Sequence, residues 1–367
     1  IQIKPDGTTA ELRTAQKAVA RGVKVWAAPW SPPVAWKMGA DTCGYAGSLM
    51  DANRQDWANS LAAFASNMAA QGIPLVAISA QNEPNYAAKA KPGADGVTPD
   101  CSTGWDSCVY TAPQLVSFIR DFLGPALAAQ TPVVPVMAPE TQGWDQFTRF
   151  ADPLMADTAV ISMLGPIATH HYAGAPSVYQ PAFAASKVVW ETEVSDGAKY
   201  VASEPPMNSA LRTAQMIHSD LADGNVSAWH YWWLMPAGSN NQSYGALSQD
   251  GSTLALRAWA FGNWSRFVRP GFVRVDATKS PQQDVYVTAF TDDASGRLVV
   301  VVINQARYDV QQDFTIGGGT ASDLTPWVTS GTQKLEAGAP ITVVDGAFTA
   351  TLPAQTVTSF VGTVTTP

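Results

Sequence analysis

The feature of this sequence that most constrains its fold is the alternation of short apolar segments with longer amphipathic segments between residues 1 and 268. Short apolar runs with β-branched residues predict buried strands, and longer segments with apolar residues three and four apart predict helices. Seven strands are predicted, at residues 1–4, 23–28, 75–80, 133–138, 167–169, 187–190 and 226–233. Strands that alternate with helices form parallel sheets, and at this length the pattern predicts a (β/α)8 barrel.

The pattern changes after residue 270. Helices are predicted from Thr8 or Thr9 to residue 20 and at residues 55–71, 113–129, 144–155, 208–222 and 252–266. Beyond them the chain has short strands with turn residues between them and no helical period, at residues 285–290, 298–304, 313–316, 341–344, 347–352 and 356–361. This pattern predicts a β-sandwich. We therefore expect a barrel domain at residues 1–266 and a β-sandwich side domain at residues 267–367.

The composition excludes several classes of partner. The net charge is −8, which argues against nucleic acid and against anionic membrane surfaces. The sequence has no run of 18 apolar residues, so no segment is predicted to span a membrane. Thirteen tryptophans are many for 367 residues, and they indicate either a large core or flat apolar platforms of the kind on which sugar rings stack.

Three cysteines are too few for a disulfide scaffold. Cys101 and Cys108 lie in one predicted loop, CSTGWDSC, where they are expected to close a small ring in an oxidising compartment; the alternative is free thiols. The sequence leaves open whether Cys43 is free or exchanges partners with them. No cluster of His and Cys has metal-ligand spacing and no glycine-rich nucleotide motif follows a strand, so neither a metal nor another cofactor is expected.

Acidic residues stand at the ends of several predicted strands: Glu83, Glu140, Glu191 and Glu193. The carboxyl ends of barrel strands open on one face, so acids distant in sequence meet there. Hydrolysis of a glycosidic bond uses two such carboxyls, one protonated and one ionised. Glu191 and Glu193 point to the same side of their strand, and the outer one, Glu193, is better placed to reach a substrate. Glu191 is expected one layer deeper, as a partner of His170 or of a backbone group.

Six motifs occur in an order that resembles glycoside hydrolase family 30, a clan A family of retaining enzymes, and especially its bacterial xylanase branch. They are AAPWSPP (27–33), SAQNEPNY (79–86), APET (138–141), THHY (169–172), WETEV (190–194) and FVRPGFVRVDAT (267–278). Together with LPAQTVTSFV (352–361) they extend the resemblance over nearly the whole chain. It implies a (β/α)8 barrel with an attached β-sandwich.

The resemblance also implies roles for individual residues. Glu83 matches the acid/base and Glu193 the nucleophile. Asn82 matches an asparagine that binds the sugar 2-hydroxyl, and Tyr172 a tyrosine that orients the nucleophile. Aromatic positions of the sugar subsites are matched by Trp30, Trp232 and Trp233, for which barrel core is the alternative. Glu140 is expected to hydrogen-bond substrate or to support the catalytic pair, and His170 to face the cleft rather than to bind a metal.

One departure from the family concerns the substrate. Members specific for glucuronoxylan carry arginines after the eighth strand, whereas no Lys or Arg occurs here between Arg212 and Arg257. Unless Lys199 substitutes, a bidentate clamp for a glucuronate carboxylate is missing. We expect an endo-β-1,4-xylanase that does not depend on glucuronate side groups. The alternatives are an endo-β-1,6-galactanase or β-1,6-glucanase of the same family and, from another class, an inactive carbohydrate-binding relative.

The second departure is at the amino terminus. Residues 1–4 resemble the family's second barrel strand, so the first strand and its helix are expected to be absent. An incomplete barrel exposes unpaired edges, here at residues 1–4 and 226–233. A homodimer that covers this open edge is the simplest repair. The expected partner is a polysaccharide substrate, and the enzyme is expected to be secreted.

Overall fold

The computed structural model describes residues 10–196, 204–234, 245–247 and 252–365. The helices are α1 Ala10–Val19, α2 Arg54–Ala70, α3 Ala112–Phe118, α4 Gly124–Ala128, α5 Trp144–Met155, α6 Thr158–Met163, α7 Gln180–Ala184, α8 Pro206–Ala222 and α9 Leu256–Ser265. The segment predicted as one helix at 113–129 is α3 and α4 joined by the π-helical turn Ile119–Leu123. Because α9 begins at Leu256, the predicted start at residue 252 was wrong. The predicted cap at Thr8 or Thr9 lies outside the described residues.

The strands of the amino-terminal part are β1 Val25–Ala27, β2 Lys37–Ala40, β3 Ala46–Leu49, β4 Leu75–Ser79, β5 Lys91–Pro92, β6 Pro99–Asp100, β7 Val136–Thr141, β8 Leu164–Thr169, β9 Val189–Val194 and β10 Ala228–Tyr231. The remaining strands are β11 Val273–Val275, β12 Val285–Asp292, β13 Arg297–Asn304, β14 Val310–Thr315, β15 Thr320–Ala321, β16 Thr325–Thr329, β17 Lys334–Ala337, β18 Ala347–Leu352 and β19 Thr356–Thr365.

Six strands form one sheet in the order β1-β4-β7-β8-β9-β10, in which the neighbours from β1 to β9 pair in parallel. This order follows the chain, as in a barrel built from successive βα units. This parallel sheet and the separate antiparallel sheet confirm the predicted barrel with an added antiparallel domain. Residues 1–4 lie outside the described residues, so the open edge and the dimer remain predictions.

The barrel elements follow from their apolar patterns. In β4 four of five side chains are buried, which suits a strand covered on both faces. In α2 the buried side chains recur three or four positions apart, at Trp57, Ala58, Leu61, Ala62, Ala65 and Met68. That spacing gives one apolar stripe for packing on the sheet. Helix α3 begins at a capping box, in which Thr111 and Gln114 satisfy each other's backbone N–H groups.

The long segment between β4 and α3 is tied to the hairpin β2–β3 by a disulfide bond between Cys43 and Cys101. The expected Cys101–Cys108 ring was therefore wrong, and Cys108 is a buried free thiol. Burial raises the pKa of Cys108 to about 11, so the thiol stays protonated near neutral pH. The local spacing of Cys101 and Cys108 suggested a ring, but the hairpin brings Cys43 to the loop from 58 residues away.

The chain divides into two compact units, Ile1–Glu193 with Val226–Trp229, and Val194–Asn225 with His230–Pro367. The second unit contains α8, α9 and an antiparallel sheet in the order β11-β12-β13-β19-β16-β17. Helix α9 is attached by the buried Asn263, whose amide donates to the carbonyl of Trp327 and to Ser359 Oγ, each at 2.9 Å. The predicted domain boundary at residue 266 remains a prediction.

The antiparallel core is aromatic and aliphatic. The rings of Phe314, Phe348 and Phe360 pack with centroids 4.7–5.7 Å apart. Strands β11, β16 and β17 were not predicted, because polar and proline-containing segments such as TPWVT lack a clear alternation. The predicted strand at 341–344 is wrong, since Ile341 and Val344 make only isolated bridges.

Candidate active site

Four neighbouring strands bring titratable side chains to the carboxyl edge of the parallel sheet. Glu83 follows β4, Glu140 lies in β7, His170 follows β8 and Glu193 lies in β9. One donor atom from each of Glu83, His170 and Glu193 lies within 4.8 Å of the other two. Retaining glycosidases hold their two carboxyls about 5–5.5 Å apart, whereas inverting enzymes need about 6.5–9.5 Å. The separation of Glu83 and Glu193 therefore fits retention.

The backbone at two of these acids is strained. Glu83 has a φ of 44° and Glu140 a φ of 60°, in the left-handed region that residues other than glycine rarely adopt. Such conformations cost about 1–3 kcal/mol each and persist where the surroundings hold them. Here the Glu83 N–H donates to the Glu140 carbonyl at 3.0 Å, which locks the two strand ends together. The sequence contained no signal for this pairing.

His170 is fully buried between carboxylates. Its Nδ1 lies 3.2 Å from Glu83 Oε1, and its Nε2 lies 3.7 Å from Glu140 Oε1, which is too long for a hydrogen bond. Burial alone would lower the pKa of His170, but the carboxylates of Glu193, Glu140 and Glu83 outweigh it and hold the pKa well above its usual value. His170 is therefore an imidazolium at neutral pH, and Nδ1–H donates to Glu83.

Glu193 is partly exposed and receives a hydrogen bond of 3.0 Å from the Tyr172 hydroxyl. The pKa of Glu193 is raised to about 7 in total. Burial is the largest cause; the charge on His170 and the hydrogen bond from Tyr172 lower the pKa, and the carboxylates of Glu83 and Glu140 raise it. Glu191 is fully buried, as the two-residue spacing predicted for a position one layer deeper. The tyrosine and the imidazolium thus stabilise the ionised form of Glu193.

Trp30 and Asn82 lie near each other through backbone contacts. Trp30 is half-buried in the segment after β1, and Asn82 is buried directly before Glu83. The Asn82 N–H donates to the Pro29 carbonyl at 2.9 Å. Gln81, which the sequence reasoning did not single out, donates from its side-chain amide to the Trp30 carbonyl at 2.6 Å. Its place beside Asn82 and Glu83 in SAQNEPNY was the available signal.

Trp232 and Trp233 follow β10 and belong to the second unit. A cis peptide bond joins them, and their ring centroids are 5.1 Å apart. The Trp232 N–H donates to the carbonyl of Val194 at 2.8 Å. Both rings are half-buried rather than fully enclosed in a core.

Residues 8–245 match the family described as the glycosyl hydrolase family 30 TIM-barrel domain. The chain belongs to glycoside hydrolase family 30. The glucuronoxylanase XynC of Bacillus subtilis (strain 168) is 33% identical over 359 residues, which cover 96% of this chain and 76% of that protein. Identity to the lysosomal acid glucosylceramidase of Mus musculus is 26% over 326 residues, covering 82% of this chain and 60% of that protein.

Solved structures of two family 30 xylanases are similar to this chain over most of its length. The subfamily 8 xylanase Xyn30A from Clostridium acetobutylicum has a TM-score of 0.81 at 33% identity, and a family 30 endoxylanase from Clostridium papyrosolvens C71 has 0.78 at 30%. Each alignment covers 96% of this chain and 83% of the other. As a family 30 member the chain is a glycoside hydrolase with a retaining mechanism, which agrees with the separation of Glu83 and Glu193.

The cluster of Glu83, His170 and Glu193 also has a spacing at which three donor atoms can hold a metal ion. A histidine ligand must be neutral, because its lone pair binds the metal. The carboxylates around His170 hold it in the charged form, which carries a proton on each ring nitrogen. The donor set therefore fits an ion-paired catalytic centre better than a metal site, and the expectation of no metal remains a prediction.

Arg212 and Arg257, which flank the segment without Lys or Arg, both have partners within the protein. Arg212 forms ion pairs with Asp196, at 2.7 Å, and with Glu204. Arg257 is buried, and its guanidinium donates to Ser209 Oγ at 2.8 Å and to the Gly245 carbonyl at 2.7 Å. Lys199, the other cation considered from the sequence, lies outside the described residues.

Proposed function

We propose that this glycoside hydrolase is an endo-β-1,4-xylanase, with Glu193 as nucleophile and Glu83 as acid/base. The observation that carries the catalytic assignment is the short distance between these carboxyls. One oxygen of Glu83 lies within 4.8 Å of one oxygen of Glu193, at the carboxyl edge of the parallel sheet. Xylan as the substrate is supported by relatives at 30–33% identity that are named glucuronoxylanase or xylanase. A polysaccharide suits a site with half-buried aromatic rings such as Trp30.

The first step is attack of Glu193 on the anomeric carbon. Glu83 protonates the leaving oxygen at the same time, so that the bond to the departing sugar breaks and a glycosyl–Glu193 ester forms. Because His170 Nδ1–H points at Glu83 Oε1, the second oxygen of Glu83 is the one that carries the transferred proton. Asn82 is proposed to bind the 2-hydroxyl of the sugar, where hydrogen bonds strengthen in the transition state.

The second step reverses the proton transfer. Glu83, now ionised, accepts a proton from water, and the resulting hydroxide attacks the anomeric carbon and releases Glu193. The imidazolium of His170 stabilises the ionised Glu83 between the two steps. Since Glu140 and His170 have no exposed surface, we propose that they hold Glu83 rather than touch the sugar.

The proposed mechanism requires Glu193 ionised while Glu83 is protonated, so kcat/KM depends on the pKa of Glu193. We expect replacement of Tyr172 by phenylalanine to raise the pKa of Glu193 above about 7, because the hydroxyl that lowers it is removed. Fewer molecules then have Glu193 ionised at acidic pH, and the acidic limb of the kcat/KM profile moves to higher pH. A hydrogen bond to a charged group contributes about 1.5–3 kcal/mol, so kcat/KM at pH 6 is expected to fall about 10- to 100-fold.

The matched control is replacement of Tyr110 by phenylalanine. In the part of the chain that the structure describes, the buried Tyr110 hydroxyl has no hydrogen-bond partner. This variant is expected to keep the wild-type pH profile. An unchanged acidic limb in the Tyr172 variant would refute the proposed interaction with the nucleophile.

We propose that activity does not depend on glucuronate side groups. Arg212 and Arg257 are engaged by internal partners, and the segment between them has no Lys or Arg. The test measures kcat/KM on glucuronoxylan before and after enzymatic removal of its glucuronate groups. We expect kcat/KM to change less than about threefold, because a bidentate arginine–carboxylate contact would contribute far more. A drop of tenfold or more after removal would contradict this proposal.

The same reducing-sugar assay on galactan and β-1,6-glucan tests the substrate itself, since turnover of one of these without turnover of xylan would replace the xylanase assignment. We also propose secretion, which the Cys43–Cys101 disulfide supports. Among the described residues, no helix combines the length and apolarity needed to cross a membrane. Dimerisation remains a prediction that light scattering tests.

A further inference from the structure

Two exposed aromatic rings stand next to the proposed acid/base. The rings of Tyr86 and Trp105 are nearly parallel, at 6°, with centroids 5.6 Å apart. Tyr86 is 37% and Trp105 39% exposed. At this separation parallel rings are stacked with an offset, so each leaves part of its faces uncovered by the other.

Tyr86 is fixed directly to the catalytic strand end. Its N–H donates to the carbonyl of Glu83 at 2.9 Å, so one tight backbone turn joins Tyr86 to Glu83. The side-chain oxygen of Asn85 accepts a hydrogen bond from the Gln142 N–H at 2.9 Å, which anchors the same turn to the segment after β7. The position of Tyr86 is therefore set by two neighbouring strand ends.

Trp105 is held by the disulfide-linked loop. Ser107, two residues on, accepts hydrogen bonds at its hydroxyl from the N–H groups of Ala46 and Ala88, at 3.0 and 3.2 Å. Its carbonyl accepts one from the buried ammonium group of Lys37 at 2.9 Å. Cys101 is bound to Cys43 on the other side of Trp105. A ring held in this way loses little conformational freedom on binding, which favours affinity.

We propose that Tyr86 and Trp105 form a sugar-stacking subsite for the polysaccharide on the leaving-group side of the scissile bond. An acid/base protonates the leaving oxygen and so stands beside the departing sugar, and Tyr86 follows Glu83 by one turn. Glu193 comes from β9, which β7 and β8 separate from β4 in the sheet. The occupant is a pyranose ring whose C–H face packs on the aromatic surface. This inference rests on the proposed function, in particular on Glu83 as acid/base.

The test compares Trp105→Ala and Tyr86→Ala with Trp105→Phe and with Tyr308→Ala. Tyr308 is 63% exposed in the second unit and serves as the matched surface control. The first quantity measured is a ratio, kcat/KM on soluble arabinoxylan divided by kcat/KM on a nitrophenyl xylobioside. The second is the retardation of the protein during native electrophoresis in gels that contain arabinoxylan, galactan or β-1,6-glucan. The aryl substrate has no sugar on the leaving-group side, so the ratio isolates that side.

We expect the alanine variants to lower the ratio about tenfold and to weaken retardation, Trp105→Phe to restore most of both, and Tyr308→Ala to change neither. Loss of rate on both substrates by the same factor would indicate a structural role and overturn the subsite. If wild type cleaves arabinoxylan and Trp105→Ala keeps the wild-type ratio and retardation, the subsite is wrong and the xylanase proposal stands. If wild type cleaves none of the polysaccharides, the proposed function is wrong. In that case, retardation of wild type but not of Trp105→Ala still supports a sugar-stacking subsite at Tyr86 and Trp105. A wild type that neither cleaves nor is retarded by any of them overturns both proposals.

Discussion

Replacement of Glu193 by glutamine is expected to lower kcat by about four to six orders of magnitude, because the amide cannot form the covalent glycosyl intermediate. The glutamine keeps the shape of the side chain and an oxygen that accepts the hydrogen bond from Tyr172. Reducing-sugar release on xylan measures the loss. The exposed Glu336, in the second unit, provides a control through Glu336→Gln, which is expected to retain wild-type turnover.

The same variant separates catalysis from folding. The pKa of Glu193 is raised to about 7 in the folded protein from 4.5 for the free side chain. Stability from the protonated form is therefore fully present below pH 4.5 and is lost as the pH rises through 7. A neutral glutamine avoids that loss, so Glu193→Gln is expected to unfold at the wild-type temperature or above it at pH 8. Full turnover in Glu193→Gln, with loss in Glu191→Gln, would move the nucleophile to Glu191.

Replacement of Glu83 by alanine is expected to separate the two halves of the reaction. With xylan the leaving group is a sugar that needs protonation, and removal of general acid–base catalysis lowers kcat/KM about 10²- to 10⁴-fold. With a dinitrophenyl glycoside the leaving group departs without a proton, so Glu193 is still glycosylated. Hydrolysis of that ester lacks its base, and the glycosyl-enzyme accumulates after a burst of dinitrophenol.

Sodium azide provides the decisive measurement for Glu83→Ala. The anion enters the space of the missing carboxylate and needs no base, so it is expected to accelerate steady-state turnover of the dinitrophenyl substrate and to yield a β-glycosyl azide. Glu83→Gln keeps a side chain beside His170 and is expected to lose the same proton transfer with less room for azide. Equal losses on both substrates without azide rescue would contradict the acid/base assignment.

Local sequence features predicted β4 and α2 closely, for reasons that are themselves local, whereas α6 and α7 were not predicted. The apolar run of β4 and the spaced apolar positions of α2 match the periods of a strand and a helix, and both elements were found within a residue or two of their predicted ends. The antiparallel unit was harder, because segments such as β16 carry proline and mixed polarity. Strand β16 depends on pairing with β19, which comes from a distant part of the sequence.

Only part of the candidate site could be predicted from the sequence. Glu83, Asn82 and Glu193 stand in motifs with family counterparts. The strand before Glu83 was predicted closely, whereas β9 extends through Glu193 to Val194 instead of ending at the predicted residue 190. The contacts that tune these residues were not predicted: the left-handed backbone at Glu83 and Glu140, and the charged His170 between carboxylates from three strands. Each depends on neighbours that come from other strands, and no spacing along one segment encodes them.

The sequence by itself determined the strand–helix alternation, the family and the acids at the strand ends, since these are properties of neighbouring residues and of motifs in order. The tertiary structure alone decided which groups meet. It selected Cys43 rather than Cys108 as the partner of Cys101, and it stacked Trp105 on Tyr86. The physical reason is that sheet order and loop path set these distances, and both result from packing of the whole domain rather than from local periodicity.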